Sequence, residues 1–127
     1  MQIVSQGIDL VECSRIEHIL KQHPDRFLAR ILTSREREYC TRRKDPVPNV
    51  AGRFAAKEAI LKALGTGWRG SIAWTDMEIT NDGLGRPSVV LSGACRELAD
   101  RLGIEQILIS ITHTKTNAAA SAIAVKK

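Results

Sequence analysis

The chain of 127 residues is 43% hydrophobic and 26% charged and carries a formal net charge of +5, which is typical of one soluble domain over residues 1–127. No run approaches the ~20 apolar residues that span a bilayer and no leader peptide opens the chain, so we expect a cytoplasmic protein without membrane spans. The three cysteines lack CxxC spacing, so we expect neither disulfides nor a zinc site. The net positive charge either favours an acidic partner or only reflects the basic surface of a soluble protein. Two Phe, two Trp and one Tyr are too few for stacking on the bases of single-stranded nucleic acid.

The chain begins with a predicted strand that leads into short helices. Residues 2–11 mix apolar and small polar residues and predict the strand, in which Gly7 allows another backbone to approach closely. The segment Ser14–Glu17 fits a capping box that opens a first helix. Pro24 ends this helix, and a second short helix is expected over residues 26–32.

The longest predicted helix follows in the middle of the chain. A second capping box, Thr33–Glu36, opens a polar helix to about Arg43. Residues 45–49, rich in proline, predict a loop. Residues 50–64 then predict the strongest helix, which the glycines of residues 65–67 end.

The second half changes to strands. Residues 75–80 and 87–91 flank a turn-rich loop and predict a strand pair. Residues 92–102 predict a helix whose first residue, a serine, can cap it. Residues 106–112 and 118–125 predict the last two strands. This order of elements indicates an α+β fold with a mostly antiparallel sheet packed against helices.

Two acidic side chains on separate elements suggest a site. Asp9 closes the apolar stretch Gly7-Ile8-Asp9, and Glu58 lies in the alanine-rich helix. Burying such an acid is costly unless a cation meets it, so the pair suggests a shared divalent metal ion. Lys62 follows Glu58 by four residues, where an ordinary ion pair worth roughly 0.2–0.5 kcal/mol is the simpler explanation. Spacing alone leaves both interpretations open.

Two further segments are weaker candidates for ligand contact. The run Gly65-Thr66-Gly67 is by default a helix C-cap, and its alternative use is to let a ligand approach the backbone. A phosphate would prefer a helix N-terminus. His113, in the hydroxyl-rich turn that also carries Lys115, is either an uncommitted surface residue or one of several donors for an anion.

The two acidic motifs together resemble the signature of the 4′-phosphopantetheinyl transferases. Further blocks are similar to the short bacterial type, the holo-[acyl-carrier-protein] synthase family, in order and spacing over nearly the whole chain. These blocks are Arg26-Phe27, Arg30-Ile31-Leu32-Thr33, Ala51-Gly52-Arg53-Phe54, Gly65-Thr66-Gly67, Gly85-Arg86-Pro87 and Ser110-Ile111-Thr112-His113-Thr114.

The resemblance implies a phosphopantetheinyl transferase fold and a transfer reaction. The 4′-phosphopantetheine group of coenzyme A would pass to a serine hydroxyl of apo-acyl carrier protein, releasing adenosine 3′,5′-bisphosphate, in support of fatty acid biosynthesis. Asp9 and Glu58 would hold one Mg²⁺ together with waters and pyrophosphate oxygens. Lys62 would neutralise the pyrophosphate, and Glu58 would remove the serine proton, directly or through a metal-bound water.

The resemblance also implies binding surfaces and a homotrimer with sites at subunit interfaces. The implied coenzyme A contacts are Arg53, Lys62, Gly65, Thr66, Pro87, His113 and Thr114, with Lys44 as a weaker addition. The implied docking residues for the acidic carrier protein are Arg15, Arg26, Phe27 and Arg30.

The chain departs from the wider family at two places. Val11 stands where the larger two-lobed transferases carry a third metal-binding acid, and residues 45–48 are less basic than expected. Two rival functions remain open: a basic adaptor that binds nucleic acid or an acidic protein without chemistry, and a weak relative that only binds coenzyme A. The adaptor leaves Asp9 and Glu58 unexplained, so we expect acyl carrier protein and coenzyme A as partners and no nucleic acid.

Overall fold

The computed structural model describes residues 1–65 and 71–127, which form five α-helices and five strands. The elements in chain order are β1 (Gln2–Glu12), α1 (Cys13–Gln22), α2 (Pro24–Ile31), α3 (Ser34–Thr41), α4 (Val47–Ala63), a 3₁₀ turn (Trp74–Asp76), β2 (Met77–Asn81), β3 (Pro87–Leu91), α5 (Gly93–Arg101), β4 (Gln106–His113) and β5 (Asn117–Lys126).

Every strand pair among the described residues is antiparallel. Three strands form a sheet in the order β1-β5-β4, and β2 pairs with β3 in a separate hairpin. Helix α4 packs across one face of the larger sheet and contacts all three of its strands. The predicted α+β fold is therefore confirmed.

Small side chains allow α4 to lie close to the sheet. On β5 the alternate residues from Ala118 to Ala124 are alanines that turn inward and are buried. Helix α4 presents its own buried alanines, among them Ala55 and Ala59. Because alanines on α4 meet alanines on β5, the helix and the sheet approach closely and are tightly packed against each other.

Gly7 marks the closest approach between β1 and α4. A Cβ at this position would lie 2.1 Å from the carbonyl oxygen of Ala59 and 2.8 Å from the amide nitrogen of Ala63. The Ser5 hydroxyl donates to the Ala63 carbonyl, which joins the same strand to the same helix. The predicted role of Gly7 in close backbone approach is confirmed.

The two predicted capping boxes have different outcomes. At Thr33 and Glu36 both reciprocal hydrogen bonds are present, of 3.0 and 3.2 Å. The box at Ser14–Glu17 is wrong, because Ser14 lies inside α1, which starts at Cys13 directly from β1 and without a side-chain cap. The Cys13 amide instead donates to the carbonyl of Thr116 at 2.8 Å.

The start of α4 also differs from the prediction. The expected loop over residues 45–49 is helical from Val47 onward. Proline is tolerated in the first turn of a helix, where its missing N–H has no intrahelical partner to lose. The Asp45 carboxylate accepts a hydrogen bond of 3.1 Å from the Val47 amide and so supports this early start.

Smaller differences occur at the ends of other elements. Helix α3 ends at Thr41 rather than Arg43, and β2 begins at Met77 after a 3₁₀ turn that includes Thr75. Ser92 occupies the N-cap position of α5 but makes no side-chain cap bond, so its predicted capping role is wrong. None of the helices in residues 1–65 and 71–127 is long and apolar enough to cross a membrane.

Candidate active site

The packing of β1 on α4 brings Asp9, Glu58 and Lys62 together. Asp9 has the same inward orientation as its buried neighbour Val11, so its carboxylate faces the helix, and its side chain is 16% exposed. Lys62 donates to Asp9 Oδ1 at 3.1 Å and to the carbonyl of Ile8 at 2.9 Å. The lysine therefore forms its ion pair with Asp9 across the β1–α4 contact, and not with Glu58 one turn before it on α4.

Glu58 lies half-buried beside this pair. Burial raises the pKa of its carboxyl above the ordinary value, and the nearby charge of Asp9 raises the pKa further. The positive charges of Lys62 and Arg15 oppose both effects. Because two carboxylates of like charge are held near each other, an additional cation between them would be stabilised.

The donors at this place suit a hard divalent cation. Carboxylate oxygens are ligands that Mg²⁺ prefers, and this ion commonly takes only one or two carboxylates and keeps waters and phosphate oxygens in its other positions. Among residues 1–65 and 71–127 no group of three His, Cys, Asp or Glu side chains could hold a metal ion. Asp9 and Glu58 would thus supply two ligands, and a substrate and water the others.

Aromatic side chains extend the cluster toward α1 and α2. Phe54, one turn before Glu58, stacks on Trp74 with 5.4 Å between ring centroids, and its centroid is 6.3 Å from that of Phe27. The Arg15 guanidinium carbon lies 6.0 Å from the Phe54 centroid. Two of the predicted docking residues, Arg15 and Phe27, therefore border the acidic site, which consists of Asp9, Glu58 and Lys62.

A separate cavity of about 460 Å³ collects three of the predicted coenzyme A residues, Arg53, Pro87 and His113. Tyr39 and Arg43, which the sequence analysis did not select, also line this cavity. The basic side chains make it suitable for an anion. This cavity is the basic pocket of the protein.

A larger cavity lies near the start of α1. Its volume is about 650 Å³, and its lining includes Glu12, Glu17 and Asp45, with Lys115 as the only cation among the described residues that line it. This acidic lining opposes phosphate binding. The basic pocket is therefore the better candidate for an anionic ligand, despite its smaller volume.

Two of the other predicted coenzyme A contacts, Thr114 and Gly65, make hydrogen bonds within their own turns. Thr114 uses its hydroxyl within the last turn, where it accepts from the Asn117 amide at 3.1 Å. Gly65 has a φ of 76° and donates to the Lys62 carbonyl at 3.0 Å, as a helix C-cap does. Lys44 is exposed and Thr66 lies outside the described residues.

The basic pocket and the acidic site lie on different sides of α4. Arg53 and Glu58 are five residues apart, which places them about 140° from each other around the helix axis. Arg53 contacts β2, whereas Glu58 is near Asp9 of β1. The structure thus divides the predicted site residues of one chain into two groups.

The deepest charges of α4 were missed by the sequence analysis. Lys57 is fully buried and forms a 2.6 Å ion pair with Glu36, which is also fully buried. Glu58, by contrast, is only half-buried, so the costly buried charge of this helix is the lysine before it. The available signal was the set of apolar helical neighbours of Lys57, namely Phe54, Ile60 and Leu61, because buried lysines require a partner.

Comparison with known proteins decides the family. The family model of the 4′-phosphopantetheinyl transferase superfamily matches residues 5–122. The chain belongs to this superfamily. It is 46% identical over 121 residues to the holo-[acyl-carrier-protein] synthase of Moorella thermoacetica, a match that covers 95% of this chain and 93% of the relative.

Solved structures agree with this membership. The holo-[acyl-carrier-protein] synthase of Neisseria meningitidis matches with a TM-score of 0.89 at 34% identity over 98% of this chain and all of that one. The enzyme of Bacillus anthracis, solved in complex with coenzyme A (3′,5′-ADP), matches with a TM-score of 0.83 at 36% identity over all of both chains. The predicted family, fold and enzyme class, a 4′-phosphopantetheinyl transferase, are therefore confirmed.

Proposed function

We propose that this transferase moves the 4′-phosphopantetheine group of coenzyme A to a serine hydroxyl of apo-acyl carrier protein, in the service of fatty acid biosynthesis. The observation that carries the proposal is the grouping of Asp9, Glu58 and Lys62 where β1 packs on α4. The family membership and the coenzyme A complex of the Bacillus anthracis relative support the choice of donor. The name of the Moorella thermoacetica relative supports the choice of acceptor.

The reaction exchanges one phosphorus–oxygen bond for another. The serine oxygen attacks the phosphorus that carries pantetheine, the bond to the second phosphate breaks, and adenosine 3′,5′-bisphosphate leaves with the electron pair. Lys62 offsets the charge of the pyrophosphate, and Glu58 accepts the serine proton directly or through a water. Asp9 and Glu58 would hold Mg²⁺, which would supply further neutralisation of the leaving phosphates.

A mass measurement tests this function. Folded apo-acyl carrier protein is incubated with coenzyme A, Mg²⁺ and the transferase, and we expect the carrier to gain the mass of one phosphopantetheine. A sample without Mg²⁺ should show a strongly reduced gain. If titration calorimetry shows binding of coenzyme A without any mass gain, the protein is a weak relative that only binds coenzyme A, and absence of coenzyme A binding would favour the adaptor.

We further propose that the complete site forms between subunits of a homotrimer. Since Arg53 and Glu58 face different sides of α4, one coenzyme A molecule would use the basic pocket of one subunit and the acidic site of the next. The outer face of the β1-β5-β4 sheet supports an assembly, because Ile8 and Leu10 are 70% and 69% exposed there and Leu108 is 42% exposed. Exposed apolar patches of this kind mark interaction surfaces.

Ile8→Glu is expected to break this assembly, because a charge on the outer sheet face would be buried without a partner. Light scattering after gel filtration should show a trimer for the wild type and a smaller species for the variant, with transfer activity lost in parallel. Val90→Glu is the matched control, since Val90 is 59% exposed on the separate β2–β3 hairpin. A trimeric, active Ile8→Glu variant would contradict the proposed interface.

The carrier protein is proposed to dock on α1 and α2 through Arg15, Arg26, Phe27 and Arg30. Arg15 and Phe27 border Phe54, one turn before Glu58, so a carrier helix seated there would bring its serine toward the acidic site. The basic residues would steer an acidic partner, and the association should weaken as salt rises.

Arg26→Glu is expected to raise the KM for carrier protein about tenfold, because it puts a like charge opposite an acidic partner. The KM for coenzyme A should stay near the wild-type value, since Arg26 is exposed on α2 and does not line the basic pocket. Steady-state kinetics with each substrate varied in turn measure both constants. Arg101→Glu on α5 makes the same charge change elsewhere, and equal effects of the two variants would contradict this docking surface.

A further inference from the structure

Three charged side chains are buried together behind the basic pocket. Glu36 and Lys57 are fully buried and Arg53 is 3% exposed, and they are the buried charged residues in the part of the chain that the structure describes. Burial lowers the pKa of Lys57, while the charge of Glu36 acts in the opposite direction. Such charges persist in an interior only when they are paired and hydrogen-bonded.

The Glu36 carboxylate joins several elements at one point. Its Oε1 accepts from the Thr33 amide at 3.0 Å and from Lys57 Nζ at 2.6 Å, and its Oε2 accepts from the Ile79 amide at 3.1 Å. Lys57 Nζ also donates to the Ile31 carbonyl at 2.6 Å. The pair therefore connects the end of α2, the start of α3, the middle of α4 and strand β2.

Arg53 is held against this anchor without being fully neutralised by it. Its Nη2 donates to the Ile79 carbonyl at 3.2 Å and to Asn81 Oδ1 at 2.8 Å, and its guanidinium carbon lies 4.4 Å from the centroid of the Tyr39 ring. Its buried Nε lies 3.6 Å from Glu36 Oε2 but has no hydrogen-bond partner. The single carboxylate of Glu36 thus faces two cations, Lys57 and Arg53, so the three side chains together leave a net charge of +1 beside the basic pocket.

We infer that the buried Glu36–Lys57 pair is a positioning device that aims the Arg53 guanidinium at a phosphate of coenzyme A. This inference rests on the proposed binding of the coenzyme A nucleotide in the basic pocket. Lys57 takes up most of the Glu36 charge through its short contact, so Arg53 is oriented by the carboxylate yet keeps its attraction for an anion. Glu36 and Lys57 act through Arg53 and touch no substrate.

The test compares ligand affinity with turnover. In Glu36→Gln the side chain keeps its shape but loses the charge that orients Arg53. In the double variant Glu36→Gln/Lys57→Met both buried charges are removed together, which a fold tolerates far better than the loss of one partner. For each variant, calorimetry measures the Kd of adenosine 3′,5′-bisphosphate, circular dichroism measures the Tm, and kinetics measure kcat and both KM values.

We expect the Kd of the bisphosphate and the KM of coenzyme A to rise about tenfold, because a misaligned Arg53 makes weaker hydrogen bonds to the charged phosphate. The kcat at saturating coenzyme A and the KM of the carrier should stay within about twofold of the wild type. Glu38→Gln is the matched control, because Glu38 is an exposed acid on the same helix that, within residues 1–65 and 71–127, forms an ion pair only with Arg42.

The outcomes separate this inference from the proposed function. A wild-type protein that neither binds the bisphosphate nor transfers phosphopantetheine would end the proposed function itself. With an active wild type, an unchanged Kd in a folded variant would overturn the positioning role. A parallel fall in kcat and in the kcat/KM values for both substrates would show that the network is purely structural. Failure of the double variant to fold would show the same, and either result would overturn the positioning role.

Discussion

Glu58→Ala is expected to lower the rate of phosphopantetheine transfer by about 10³-fold or more while the protein stays folded. The change removes a proposed metal ligand and the group proposed to accept the serine proton. Loss of metal-based charge stabilisation is worth several kcal/mol, and each 1.36 kcal/mol corresponds to a factor of ten in rate. Mass spectrometry of the carrier protein over time measures the loss.

The fold of this variant should be intact or slightly more stable than that of the wild type. Burial and the charge of Asp9 both raise the pKa of Glu58, which means that the folded protein disfavours its ionised form. This free-energy penalty for ionised Glu58 is absent at pH values below the pKa of Glu58 in the unfolded chain, and it develops as the pH rises toward the higher pKa of the folded protein. Any gain in Tm from Glu58→Ala should therefore appear at neutral pH and not at strongly acidic pH. Glu97→Gln, at an exposed acid on α5, is the control for loss of charge. Wild-type transfer by Glu58→Ala would place the chemistry elsewhere.

Gly7→Ala is expected to destabilise the protein by about 3 kcal/mol or more, the upper range for overpacking. The added Cβ would meet the Ala59 carbonyl oxygen at 2.1 Å, the Ala63 amide nitrogen at 2.8 Å and Lys62 Cβ at 2.9 Å. Two of these atoms belong to the helix backbone, so the clash is relieved only if β1 moves away from α4. A melting temperature lower by roughly 10 °C follows for a domain of this size.

The same movement should reduce transfer activity in the surviving folded molecules. Asp9 lies two residues beyond Gly7 on β1, and a displacement near 1 Å costs on the order of 10²-fold in rate. Gly83→Ala is the matched control, because a Cβ there meets nothing within 4 Å and should change the free energy of unfolding by less than about 0.5 kcal/mol. Equal melting temperatures for the two variants would contradict the close packing of β1 on α4.

Local patterns in the sequence predicted much of the fold. The capping box at Thr33 is present, the longest helix contains residues 50–63, and the last two strands pair as expected. One error, at the start of α1, falls where a local rule had a tertiary competitor. At Ser14 the chain turns directly from β1 into α1, and the hydrogen bond between Cys13 and Thr116 replaces the expected cap.

The candidate site was predictable to the extent that its residues stand in linear motifs. Gly7-Ile8-Asp9 and the segment from Phe54 to Lys62 are each contiguous, and a resemblance to the transferase family needs no more than that. The roles assigned to single residues, including Pro87 and His113 at the basic pocket, stay predictions. Tyr39 and Arg43 escaped notice because no short motif links them to that pocket.

The amino-acid sequence by itself determined the family, the order of elements and the chemical types available at the site, because these depend on neighbours along the chain. Only the tertiary structure decided which charges meet. Lys62 pairs with Asp9 across 53 positions, and Lys57 pairs with Glu36 across 21. The first pair follows from the packing of alanine-lined α4 on β1, and the second joins α4 to the start of α3. Both depend on contacts between residues far apart in the chain, which no local pattern contains.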